Sequence, residues 1–352
     1  MSGFATIMST FWSGSFIVEP RPVTNNALST LLLVSSDSTL DGDRYRLYAS
    51  LDSVITDNLA GFVSATALAM STVAFAQSPA PSQLAIGRRD AGASETFAAA
   101  LTAISTAGLQ FGLVAPDSTT GAQATSVASY TDANPMIAIV TDDDPAWGTG
   151  TPPAGFPTTS ASLGVVIHPT AGQYPHVAIL SRAAGTPADS TRPDFTAPLA
   201  SVATYNLTET QRANAIANHA NPLVPLEAGG TLLYPPAGGV KAMSDEYLYT
   251  RFAVMFLTYR WRSAIANQYA TFASQNKVWP YNVAGEAALR GCLQPAINTG
   301  LAVGYFTPND TLPQGYEIST SRSGGIITAT ARVGLLDGTT QVVTVTYVER
   351  AA

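Results

Sequence analysis

Met136-Ile137-Ala138-Ile139-Val140 and Leu163-Gly164-Val165-Val166-Ile167 are the two stretches that set the architecture. Each is an unbroken apolar run without a charge. A strand with one wet face alternates apolar and polar residues, whereas a strand covered on both faces does not. Such runs belong inside a largely parallel or mixed sheet flanked by helices.

Working outward, helix-like and strand-like segments alternate. Towards the N-terminus, residues 94–106 have helical composition, 111–114 (FGLV) read as a strand and 121–131 as a weak helix. Residues 29–35 (STLLLVS), 45–48 (YRLY) and 84–86 (LAI) are short strands. Between them, residues 51–77 read as one long helix, opened by Ser50 as N-cap and closed by Pro79 and Pro81. Towards the C-terminus, 176–180 (HVAIL) is a further apolar strand. A helix capped by Asn206 or Thr208 runs to about residue 220, and residues 229–239 are a strand and loop.

The strongest helix spans 244–274, where Leu248, Phe252, Met255, Phe256 and Tyr259 recur at helical spacing. A last helix covers 284–303 and contains Pro295. At the end, Ile327, Ala329, Ala331 and Val333 alternate with polar residues, Asp337-Gly338 marks a turn, and Val343, Val345 and Tyr347 alternate again. This is a β-hairpin. The fold class is α/β with some α+β character: a mixed-sheet core with flanking helices and a small β-α-β subdomain. The expected division is an N-terminal arm (1–26), the small subdomain (27–92), the α/β core (93–306) and a C-terminal hairpin or arm (307–352).

Only 12% of the 352 residues are charged and 46% are hydrophobic, against roughly 25% charged in an ordinary soluble domain. A chain this poor in charge buries much of its surface or shares it with other chains. The net charge of -7, with Lys241 and Lys277 as the only lysines, gives no basic face for nucleic acid and no polybasic membrane patch. Residues 59–76 (LAGFVSATALAMSTVAFA) are uncharged and long enough to resemble a membrane span. They lie far from the N-terminus, lack a basic flank and are rich in Ala, Ser and Thr, so they read as a buried helix without membrane insertion.

Catalytic constellations are absent from the pattern. Cys292 is the single cysteine, which excludes an intrachain disulfide, and His168, His176 and His219 are scattered. No HExxH, CxxC, GxSxG or P-loop motif occurs. Asp142-Asp143-Asp144 follows an apolar strand, where α/β proteins place ligands, and three carboxylates can hold Mg²⁺ or Ca²⁺. Pro145 follows at once, and such clusters are more often solvated turns. The expectation is no cofactor, no metal and no catalytic residue.

Residues 1–26 mix Ser, Thr and Gly with Phe4, Phe11 and Trp12. Phe16-Ile17-Val18 can form a short strand that Pro20 and Pro22 confine to a sheet edge. Such a segment buries little within its own chain and suits donation to a neighbour's sheet.

The run Phe75-Ala76-Gln77-Ser78-Pro79-Ala80-Pro81-Ser82-Gln83-Leu84-Ala85-Ile86-Gly87-Arg88 resembles a segment of contractile-tail bacteriophage sheath proteins. There too a helix ends in a Gln-Ser-Pro-x-Pro turn and leads into a strand closed by Gly-Arg. Asn206-Leu207-Thr208-Glu209-Thr210-Gln211, followed by residues 218–221 and Glu227-Ala228-Gly229-Gly230, is a second similarity. The long helix from Asp245 with Val278-Trp279-Pro280-Tyr281-Asn282-Val283-Ala284-Gly285 after it is a third. They stand in family order and span residues 16–306.

The resemblance implies a structural subunit, not an enzyme, located in a virion's contractile tail and assembled in the host cytoplasm. Its partners would be further copies in stacked hexameric rings, the tail tube protein, and baseplate and tail terminator proteins. Contraction would drive the tube through the host envelope. The resemblance also implies strand exchange between subunits, with Phe16, Ile17 and Val18 and Val343, Val345 and Tyr347 as candidates. The helix before the terminal strands would face the tube, and Glu286 and Arg290 are its only charges. The chain is short for the family, so few outer decorations are expected. The alternatives are another tail or baseplate protein, or an α/β metal-dependent enzyme built on Asp142–Asp144. The long helix at 244–274 speaks against a tube subunit, which should be mainly β.

Overall fold

The computed structural model describes residues 26–352 except 118–119, 194, 196–198, 204, 226–230, 234–238, 276, 278, 324–325, 336–339 and 349–352. Phe16, Ile17 and Val18 therefore lie outside the described residues. The chain divides into two compact units, Asn26–Phe252 and, with residues 1–25, Ala253–Ala352.

The first unit is built on an eight-stranded sheet: β1 (Leu31–Ser35), β2 (Tyr45–Tyr48), β3 (Leu84–Arg88), β4 (Leu113–Pro116), β5 (Ile137–Asp142), β6 (Leu163–Ile167), β7 (Ala220–Pro225) and β8 (Thr231–Leu233). The spatial order is β2-β3-β1-β4-β5-β6-β7-β8. The six inner strands run parallel, and β2 and β8 close the edges antiparallel. Helices α1 (Leu51–Leu59), α2 (Ala65–Phe75), α3 (Phe97–Thr106), α4 (Gly121–Ala133), α5 (Pro175–Gly185) and α6 (Glu209–Ala217) cover it.

Successive residues of a strand face opposite sides, and the two apolar runs show why both sides had to be apolar. Ala138, Val140, Leu163 and Val165 join Leu32, Val34 and Val114 in one core with Leu101 of α3, Val127 of α4 and Ala215 of α6. On the other side, Ile86 and Tyr48 pack with Val54 of α1 and Ala67 of α2, and α5 lies against β1, β4 and β5.

Three expectations are corrected here. Residues 51–77 form two helices, because Gly61 turns at φ 79 and Ser64 starts α2 by accepting from the Ala67 amide at 3.1 Å. Ser50 does cap α1. Residues 176–180 lie in α5, not in a strand. Nine of the eleven α5 residues are buried, and a helix buried all round lacks the polar stripe that separates it from a buried strand. Its end, Gly185, sits so close to α2's exit turn that an added Cβ would lie 2.6 Å from the Pro79 and Ala80 carbonyls. Finally, α6 does not reach residue 220. The Thr208–Gln211 capping box opens it, it ends at Ala217, and β7 begins at Ala220 after a left-handed His219.

The long helix α7 (Leu248–Ser274) starts in the first unit and continues in the second. The second unit adds α8 (Val283–Val303), β9 (Tyr316–Ser323), β10 (Ile326–Gly334) and β11 (Thr340–Val348). The expected hairpin is β10–β11, but β9 joins it in an antiparallel sheet of order β11-β10-β9. Ile327, Ala329, Ala331 and Val333 are buried, as their alternation requires, and α8 packs against β9 and β10. Trp261 of α7 is fully buried and donates its indole N–H to the Leu293 carbonyl of α8 at 3.1 Å.

Candidate assembly surface

Open α/β sheets place ligands at the C-terminal ends of the strands, where connections diverge. Here Ser36 and Asp117 follow the ends of β1 and β4, and the polar groups are spent on one another. The Ser36 hydroxyl donates to Asp117 at 2.9 Å, and Arg89 donates to Ser36 at 3.0 Å and to the Glu95 carbonyl at 2.7 Å. Arg44 holds the Glu95 carboxylate at 3.0 Å. Burial raises the Asp117 carboxyl above its ordinary value, and the Ser36 bonds oppose that shift.

Asp142 and Asp144 are likewise committed to their own chain, and Asp143 is exposed. Asp142 is buried and accepts the Trp147 indole N–H at 2.7 Å; Asp144 accepts from the Ala146 amide at 2.8 Å and so caps the short turn at Pro145–Thr149. Burial again raises the Asp142 carboxyl. Among the described residues no group of three His, Cys, Asp or Glu side chains is arranged to hold a metal ion.

His176 and His168 are structural props. His176 opens α5 in complete burial, with Nε2 at 3.1 Å from the Pro116 carbonyl and Nδ1 at 2.7 Å from the Thr141 hydroxyl. A carbonyl only accepts, so the ring proton sits on Nε2 and Thr141 donates to Nδ1. Burial pushes His176 down to about 4. His168 Nε2 lies 3.0 Å from the Ala203 carbonyl, and Nδ1 accepts from the Thr170 amide at 3.1 Å. The half-buried Cys292 thiol is pushed up to about 12 by desolvation, the opposite of a reactive thiolate.

The three-stranded sheet differs. Among the described residues its outer strands β9 and β11 each pair on one side only. The β9 edge carries charges: Glu317 pairs with Arg332 at 3.2 Å, and Arg322 pairs with Glu286 of α8. The nine residues of β11 (TQVVTVTYV) contain no charge, proline or glycine. Proteins normally guard long edges with such residues, since bare edges invite further strands. Val343, Val345 and Tyr347 lie on this strand, opposite Ala331, Ala329 and Ile327 of β10.

Glu286 and Arg290 stand one turn apart on the flank of α8 beside β9. Glu286 accepts from Thr320 at 3.3 Å besides pairing with Arg322, and Arg290 donates to Thr320 at 3.3 Å. With Val283, Ala287, Gly291 and Gln294 they line a groove of about 420 Å³. Sequence reasoning missed this arrangement because β9 was missed. The signal was the alternation of Tyr316, Ile318 and Thr320 with Glu317, Ser319 and Ser321, too polar to stand out.

No family model matches the sequence, and no curated protein matches it. Solved structures do. A chain of the anti-feeding prophage (AFP) baseplate matches with a TM-score of 0.60 and 15% identity, covering 97% of this chain and 96% of that one. The AFP helical sheath in its contracted state matches with a TM-score of 0.56 and 14% identity, over 97% and 96%. The sheath tail protein Lin1278 from Listeria innocua matches with a TM-score of 0.62 and 10% identity, over 98% of both chains. Over nearly its whole length, the chain has the fold of these baseplate, helical-sheath and sheath-tail structures.

Proposed function

We propose that this protein is a structural subunit of a contractile tail sheath, in a phage or a phage-like injection particle, and performs no catalysis. The observation that carries the reading is the β11 edge, which pairs on one side only among the described residues, in a chain whose fold matches sheath structures over nearly its whole length. An uncharged nine-residue edge is a receptor for a strand from another copy, and residues 16–18 supply a candidate donor. Copies joined in this way would build stacked hexameric rings around a tube, attached to baseplate and terminator proteins. Main-chain hydrogen bonds between copies can persist while side-chain interfaces change, so contraction is a move from one packing to a more stable one.

Negative-stain microscopy of the purified protein tests this: it should form hollow tubes, and deletion of residues 1–23 or 342–352 should leave folded monomers that form none. Tubes from either truncated protein would sink the strand-exchange mechanism. A wild-type protein that stays monomeric at every concentration would sink the sheath reading. The baseplate match supports a second reading, a sheath-like ring confined to the baseplate. It predicts single rings that never extend.

A further inference from the structure

Five large apolar side chains stand exposed among the described residues: Leu47, Ile55, Leu59, Tyr281 and Val283. Four of them fall into two pairs. Ile55 and Leu59 lie one turn apart on α1, and Leu59 is 83% exposed. They share the outward face with Asp52 and Thr56, while Val54 on the opposite face is fully buried. The helix thus carries apolar residues on both sides, and its own core uses one. The surroundings are acidic: Asp41, Asp43 and Asp57 all crowd onto Arg46, at 3.6, 3.3 and 3.0 Å. Three carboxylates on one guanidinium leave a surplus of negative charge.

The second pair, Tyr281 and Val283, flanks the Asn282 cap of α8. Val283 is 69% exposed and lines the groove between α8 and β9. Arg322 neutralises Glu286 there, so Arg290 leaves the groove net positive. The two units differ in the same sense. Residues 26–252 hold nine basic and eighteen acidic side chains, and residues 253–352 hold seven and five. Two α1 faces meeting each other would set acid against acid. An α1 face against the α8 groove of another copy joins two apolar patches and sets acid against Arg290. Such a contact between unlike surfaces also propagates into an open helical polymer.

We propose that the exposed face of α1 in one copy seats in the α8–β9 groove of a second copy, with Leu59 against Val283 and Ala287 and Asp52 towards Arg290. The choice of a second copy as occupant rests on the sheath reading above.

Two single variants, Leu59→Cys and Val283→Cys, each in a Cys292→Ser background, test it by oxidation at assembling concentration. The mixture should give an inter-copy disulfide, and neither variant alone should. Wild-type tubes without that mixed cross-link would assign the groove to another partner, overturning this contact while the sheath reading stands. A cross-link within Leu59→Cys alone would mean like-with-like pairing and would also overturn it. Neither tubes nor cross-link would remove both ideas together. As a second readout, Asp52→Arg and Arg290→Asp should each raise the concentration needed for assembly by roughly tenfold and restore it when combined by mixing. Unchanged far-UV circular dichroism would show that both variants fold.

Discussion

The molecule's two sheets are finished to different degrees. The eight-stranded sheet has its inner strands apolar on both faces, covered by helices, and ends in a four-residue β2 and a three-residue β8. The three-stranded sheet ends in an eight-residue β9 and a nine-residue β11, and only β9 carries charges. The first sheet keeps its edges to these two short strands. In the second, β11 pairs on one side only among the described residues, and the proposed function gives its other side to a neighbour. Damage to the first should therefore cost stability of the isolated chain, and damage to the second should cost assembly.

The largest test of that contrast is Trp147→Ala. It empties a fully buried site and strips Asp142 of its indole donor, so chemical denaturation should show a loss of about 3–5 kcal/mol. A loss below 1 kcal/mol would mean the core is less tightly closed than described. His176 comes next. Its folded value of about 4 lies below the ordinary 6.5, so the unfolded chain takes up a proton that the folded one refuses. This stability is present above pH 6.5 and is lost as pH falls towards 4, by about 3 kcal/mol in all. Denaturation midpoints against pH should show the fall, and His176→Gln should flatten it.

A smaller effect is expected at Arg251, whose guanidinium donates to the Thr131 and Asn134 carbonyls at the end of α4, at 3.1 and 2.7 Å. Arg251→Ala should cost about 2 kcal/mol, and Lys should recover only part of it. Smallest is Glu286→Gln in the second unit. Its pair with Arg322 is partly exposed, at 20% and 34% of the two side chains, so the loss should be about 0.5 kcal/mol. A cost as large as that at Trp147 would erase the distinction between the two sheets.

The inner strands were readable in the sequence because burial on both faces leaves a run with no polar residue, as in Ile137-Ala138-Ile139-Val140. The same property hid α5, whose His176-Val177-Ala178-Ile179-Leu180 is buried on every side. The break between α1 and α2 was encoded in Gly61 and Ser64, but the apolar residues around them read as one continuous helix. At the candidate surface, the β10–β11 hairpin was readable from local alternation. The Glu286–Arg322 pair was not, because its partners lie 36 residues apart and meet only once β9 is in place.

The edge strand has one more property. Within β11, Val343-Thr344-Val345-Thr346 maps onto itself when shifted by two residues, a displacement of about 6.8 Å along the strand. Under the proposed strand exchange, an incoming segment would therefore meet nearly degenerate registers. Register would then be dictated by copies already assembled, and growth would be a templated process with a costly first ring. The same translational near-symmetry would let such a joint be strong across the strands and indifferent along them.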